Sequence, residues 1–330
     1  MRYQFKFRPY QRRFLRSLTT NHGKWDIREG IILRLTDETL KVGWGEIAPI
    51  SWFGSETIEQ ALDFCRQLPG EITDETIFSI PDELPACQFG FESAWEWGSG
   101  GAGEKNLNLS SALYSLPYSG LLPSGEAALN QWEKLWQQGY RTFKWKIGVY
   151  AIADELKIFE SLIHTLPAFT KLRLDANGGL SYEEANLWLW TCDNLKANGK
   201  IPIEIEFIEQ PLPVEQFQEM LELSTSYETA IALDESVATL GQLAACYQQG
   251  WRGIFVIKPG IVGSPSRLRK FCHQHQIDTV FSSVFETAIG RQAALQLAAE
   301  LSQNNRAIGF GIDHFFEKEE TWFQTLWNDL

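Results

Sequence analysis

From about residue 116 onward, short apolar runs end in a polar or charged residue at a nearly constant interval. The ends fall near Leu116, Lys146, Asp175, Glu209, Asp234, Lys258, Ser283 and Gly311, 24 to 34 residues apart. Each interval holds one strand and one helix. Helical patterns stand between them at Ala127 to Gln138, Ser181 to Leu195 (Ser181 capping, with Glu184 three residues on), Val214 to Leu223, Thr239 to Gln249, Ser264 to His275 and Ala288 to Ser302. Strand–helix repeats build a parallel sheet covered by helices, and eight of them predict a closed (β/α)8 barrel, a modified TIM-type α/β fold.

The first hundred residues follow a different rule. Tyr3 to Phe7, Gly30 to Leu35 and Val42 to Ile47 read as antiparallel strands, with a polar turn at Asp37-Glu38. Helical spacing then takes over at Ile58, Ala61, Leu62 and Cys65, with Ser55 as the expected N-cap, and again from Pro85 to Trp97. Strands followed by helices imply an α+β capping domain over residues 1–105, with the barrel at 106–314. The aromatic, acidic end of the chain, about 315–330, is expected to return and pack on the cap. Gly98 to Gly103 satisfies GxGxxG, but a helical pattern precedes it and a polar stretch from Asn106 to Ser111 follows. It therefore reads as a linker and not as a dinucleotide loop.

Composition excludes some partners. A net charge of −13 over 330 residues argues against nucleic acid and anionic membrane. Five scattered cysteines without CxxC spacing read as reduced thiols. The N-terminus lacks the apolar core of a signal peptide, and no run approaches the roughly 20 apolar residues of a membrane helix. The expectation is a cytoplasmic protein acting on a small molecule. The sequence specifies no oligomeric state.

The chemistry lies at the strand ends, where barrels of this type carry their active sites. In Thr142-Phe143-Lys144-Trp145-Lys146, two lysines share the face opposite Phe143 and Trp145, and buried ammonium groups require nearby negative charge. The next three strand ends supply it. Arg173, Asp175 and Asn177 share one face, Glu209 precedes the strand-breaking Pro211, and Asp234 follows Ala232 in phase. Lys258 stands one strand further on. Taken alone, any one of these carboxylates is more often a surface residue or an N-cap; their succession in barrel order is what carries the reading. Three hard oxygen donors suit Mg2+ (or Mn2+). A lysine on each side suits proton abstraction from carbon next to a metal-held carboxylate, and Lys144 beside Lys146 disfavours the charged form of the latter. Asn177 and Glu235 stand behind the ligands or in solvent. Glu286, Arg291 and His314 stay without an assigned role.

The order KxK, DxN, EQP, DES, KPG resembles the enolase superfamily, in the branch with a lysine on each side of the metal, over nearly the whole chain. The resemblance implies Asp175, Glu209 and Asp234 as Mg2+ ligands, Lys146 as the base and Lys258 as a cation on the opposite face. Within that branch, Ser282-Ser283, Arg173 and the Gly309-Phe310-Gly311 segment look like the o-succinylbenzoate synthase family. That implies syn-dehydration of 2-succinyl-6-hydroxy-2,4-cyclohexadiene-1-carboxylate through an enediolate, in menaquinone or phylloquinone synthesis. It also implies that Lys144, Arg173, Ser282, Ser283 and Gly311 meet the substrate. N-acylamino acid racemisation and dipeptide epimerisation are the alternatives; the Asp-x-Asp usual in dipeptide epimerases is represented by a single Asp313.

Overall fold

A computed structural model describes residues 1–20, 23–98, 116–197, 199, 202–312, 315–316 and 326. The linker expected at Gly98 to Gly103, the polar stretch from Asn106 to Ser111, the 105/106 boundary, Asp313 and His314 fall wholly or largely outside these residues. So does most of the segment after residue 316.

The N-terminal unit is an antiparallel sheet in the order β3-β2-β1-β4: β1 (Arg2–Thr20), β2 (Gly23–Asp37), β3 (Val42–Ile47) and β4 (Glu71–Thr73). The β1–β2 hairpin is far longer than its sequence suggests. The expected strand ends at Phe7, yet Tyr10 and Phe14 are buried and the ladder continues through the arginine-rich stretch to Thr20↔Gly23, with a register shift between Arg13 and Leu18. The helix Ile58–Gln67 is capped by Thr57, in a capping box with Gln60. The expected cap, Ser55, instead accepts the Ile50 N–H at 2.7 Å. The helix Pro85–Gly98 lies directly on β3. A Cβ at Gly45 would sit 2.0 Å from the Gly90 carbonyl, so this contact requires glycine.

The second sheet is wholly parallel and runs in chain order: β5 (Ser119–Leu122), β6 (Thr142–Lys146), β7 (Lys171–Asp175), β8 (Glu204–Glu209), β9 (Ile231–Leu233), β10 (Ile254–Ile257) and β11 (Thr279–Phe281). An eighth segment closes the ring. Ile308 bridges to Tyr118 and Gly309 to Ser282, so residues 308–309 touch both edges of the seven-stranded sheet. The first described barrel strand is Ser119–Leu122, so it follows the strand end expected near Leu116. Helices follow where expected, and the structure adds three that the sequence patterns do not name, Asp74–Phe78, Ile152–Thr165 and Pro259–Val262. Ser181 and Glu184 form the expected reciprocal cap at 3.2 and 2.9 Å.

Three apolar clusters result. One fills the space between barrel and helices, with Trp145, Trp188 and Trp251 fully buried. A second is the core of the cap and includes Ile261 and Val284 from barrel loops. The third, Phe207, Ala232, Ile254, Val256 and Val280, fills the barrel interior.

Candidate active site

Strand periodicity places Lys144 and Lys146 on the inner face of β6, since Phe143, Trp145 and Ile147 belong to the helix-side core. The register then aligns the groups across strands: Lys144 pairs with Arg173, Lys146 with Asp175, and Asp175 with Glu209. The Lys144 Nζ lies 2.7 Å from Asp175 Oδ2 and 2.6 Å from Glu209 Oε1. Burial alone would lower the Lys144 pKa, but Asp175, Glu209 and Asp234 outweigh it and hold the ammonium charged. Lys146, two residues on, is half-buried and has no ion pair among the described residues.

Asp234 receives the Lys258 ammonium, whose other side lies 4.0 Å from the centroid of Phe53, a ring contributed by the cap. Burial first, and then repulsion from Asp175, pushes Glu209 up to about 8. Burial likewise raises Asp234 to about 6, with Glu235 adding to it. These shifts are the signature of acids crowded into a space short of positive charge.

The surrounding contacts show how the acids are held. Asn177, in the left-handed region at φ 45°, gives its backbone N–H to Asp175 Oδ1 at 3.1 Å and its side-chain amide to Glu235 Oε1 at 3.0 Å. Glu235 Oε2 is buried with no hydrogen-bond partner among the described residues. Gln210 escaped the sequence reading, although it sits between Glu209 and Pro211. It is fully buried, its Oε1 accepts the Asp234 and Ser236 N–H groups at 3.0 and 3.2 Å, and its Nε2 reaches Ser236 Oγ at 2.8 Å. It therefore ties the end of β8 to the end of β9. Glu155, also missed, accepts the N–H groups of Gly148, Val149 and Tyr150 at 2.8, 2.8 and 3.0 Å, pinning the loop that follows Lys146. An acid in the first turn of a helix, just after a glycine, was the available signal.

The residues expected to meet the substrate divide. Arg173 does not reach the mouth: it is buried with its Nε 2.6 Å from Glu206 Oε2 and its guanidinium 4.8 Å from the Phe207 ring centroid. Two residues back from Asp175 on the same face is one layer deeper in the barrel. Ser283 is taken up within its own loop, donating to Glu286 Oε2 at 2.8 Å and accepting the Phe285 N–H at 2.9 Å. Gly311 does not leave open space; a Cβ there would meet the Ser119 carbonyl at 3.0 Å and the Tyr140 hydroxyl at 3.1 Å. Its glycine serves close approach where the barrel closes. Ser282 is half-buried and its hydroxyl makes no hydrogen bond among the described residues.

The donor set fits Mg2+: three carboxylates stand on adjacent strand ends, burial and neighbouring acids raise Glu209 and Asp234, and a further acid oxygen behind them lacks a partner among the described residues. Among the described residues no three acidic or imidazole groups converge on one point, because Lys144 spans Asp175 and Glu209 while Lys258 holds Asp234.

Barrels that carry lysines and acids on successive strand ends beneath an antiparallel cap form the enolase-type class of enzymes, and this architecture falls within it. The family description "Enolase C-terminal domain-like" matches residues 127–325, and "MenC, N-terminal domain" matches residues 7–96. The chain is 43% identical to an o-succinylbenzoate synthase of Thermosynechococcus vestitus, over 99% of both chains. It is 30% identical to one of Pasteurella multocida, over 84% of this chain and 80% of that protein. The crystal structure of o-succinylbenzoate synthase from Thermosynechococcus elongatus, complexed with Mg in its active site, superposes with a TM-score of 0.85 at 39% identity, covering 99% of this chain and 100% of the other. The L-Ala-D/L-Glu epimerase of Bacillus subtilis shares the fold, at a TM-score of 0.72 and 21% identity over 95% of this chain and 90% of that one. The chain belongs to the o-succinylbenzoate synthase family of the enolase superfamily.

Proposed function

We infer that this chain is a Mg2+-dependent o-succinylbenzoate synthase, a hydro-lyase that dehydrates 2-succinyl-6-hydroxy-2,4-cyclohexadiene-1-carboxylate in menaquinone or phylloquinone synthesis. The observation that carries the reading is the run of strand ends Lys146, Asp175, Glu209, Asp234 and Lys258 in a chain 43% identical to a member of that family. Asp175, Glu209 and Asp234 hold the metal, which when bound supplies Lewis acidity toward the substrate carboxylate. Lys146, unlike Lys144, is not engaged by an acid among the described residues, and it takes the α-proton. The same amine then delivers a proton to the departing hydroxyl on that face. Lys258 presents its ammonium from the opposite side, with Phe53 covering part of it. Lys144 keeps two of the acids in place, and Asn177, itself held by Glu235, supports Asp175.

The substrate is a small carboxylate and the acidic chain suits neither nucleic acid nor anionic membrane. No helix among the described residues is long and apolar enough to cross a membrane, and we place the protein in the cytoplasm. With Mg2+ and the cyclohexadiene carboxylate, the protein is expected to bleach the diene absorbance. Lys146→Ala lowers kcat by about 10²–10⁴-fold, the range for a lost general base. Absence of turnover in the unaltered protein removes the assignment, and deuterium uptake at Cα without elimination would instead favour a racemase or epimerase.

A further inference from the structure

Strand β8 contains one residue too many. Its ladder with β7 runs Leu172↔Ile205 and then Arg173↔Phe207, skipping Glu206, before continuing to Asp175↔Glu209. The consequence is visible in the facing of the side chains. Ile205 and Ile208 both lie in the helix-side core although they are three residues apart, an odd number, while Phe207 belongs to the barrel interior. In an unbroken strand, Ile205 and Glu209 would share a face. The bulge lets Ile205 pack outward and still turns Glu209 inward beside Asp175.

Glu206 is buried and doubly held. Its Oε2 accepts Arg173 Nε at 2.6 Å and its Oε1 accepts an Arg306 amino group at 2.7 Å. Arg306 is in turn anchored by Asp278 at 2.8 and 2.6 Å. The cluster thereby connects β7, the bulge, the entry to β11 and the closing segment at 308–309.

We propose that Arg173, Glu206 and Arg306 are positioning residues: they latch the β8 bulge and so set the face on which Glu209 is presented to the metal. The proposal rests on the reading of Glu209 as a ligand. Without the Glu206 charge, Arg173 is left buried and unpaired, and a one-residue slip that expels residue 206 from the interior relieves it. Such a slip reverses the facing of every side chain it passes. None of the three residues needs to touch the substrate.

The test is calorimetric titration of Mg2+ into the full chain, read as Kd and not as turnover, beside a thermal melt of each variant. Glu206→Gln is expected to weaken Mg2+ binding at least tenfold while the protein remains folded. Arg269→Met, which breaks the cap–barrel pair with Glu96 far from the bulge, is expected to leave Kd unchanged. A purely structural role would lower the melting temperature of Glu206→Gln without moving Kd, and that result overturns the latch. Should Glu206→Gln not fold, Arg306→Lys decides, because its side chain is partly exposed and the change is milder: a several-fold weaker Kd supports the latch and an unchanged Kd overturns it. If Glu209→Gln itself leaves Kd unchanged, the ligand reading falls and takes the latch with it, whereas a weakened Glu209→Gln beside a normal Glu206→Gln removes the latch alone.

Discussion

Lys144 and Lys146 share a strand, a face and a residue type, and they differ in what lies opposite. The ladder sets Lys144 level with Arg173, and its side chain reaches the Asp175 and Glu209 carboxylates and becomes a fixed cation; Lys146, level with Asp175, meets no acid among the described residues. Engagement by acids thus separates the scaffold lysine from the proposed base. Layering moves Arg173 from the mouth to the interior. Its partner Glu206 has a lowered pKa: burial alone would raise it, but Arg173 and Arg306 prevail. A carboxyl depressed on folding contributes stability that is present above its unfolded pKa and lost as pH falls through the folded value. Melting temperatures of wild type and Glu206→Gln, followed from neutral to acid pH, are therefore expected to differ most near pH 7 and to converge as pH drops below about 4.5.

At the scale of elements, the site depends on loops held by buried acids and amides. Glu155, in the first turn of the helix Ile152–Thr165, gathers three consecutive N–H groups just beyond the proposed base. Glutamine offers one acceptor and turns an N–H toward donors. Glu155→Gln is expected to lower kcat at least about tenfold, since small misplacements of a reacting group are costly, with Mg2+ affinity unchanged because the carboxylate strands are untouched. Steady-state rates beside a metal titration separate the two. Gln210 does for β8 and β9 what Glu155 does for the end of β6, and its αL backbone at φ 38° follows from the sharp exit after Glu209.

Across the whole molecule, cap and barrel are joined by buried charge. Glu46 of β3 accepts the Thr287 and Gly290 N–H groups at the start of the helix Ala288–Leu301, together with the hydroxyls of Tyr10 and Thr287. Arg28 of β2 donates to the Val284 carbonyl at 2.9 Å and to cap carbonyls at Glu29, Ala48 and Pro49. Above them, Phe14 and Trp25 of the hairpin pack on Phe285, and Phe14 also stacks on Phe316, 4.6 Å between centroids. Phe316 is the described residue after position 315 that touches the hairpin in this way. Removing one member of a buried, hydrogen-bonded charge set costs about 3–5 kcal/mol. Glu46→Gln is accordingly expected to lower the melting temperature by several degrees in calorimetry, more than Lys157→Ala, which removes an exposed pair.

The repeat of strand ends, the phase of Lys146, Asp175, Glu209, Asp234 and Lys258, and most helix positions are local properties: alternation, capping and spacing are written in neighbouring residues. A barrel and its chemical class follow from them. Three things depend on partners distant in the chain. The long hairpin forms because β2 offers a mate to an arginine-rich segment, and Ser283 and Gly311 are claimed by loop and backbone contacts, not by open space. The extra residue in β8 appears only when that strand is laid beside β7, for a bulge is a mismatch between two strands and neither one alone records it.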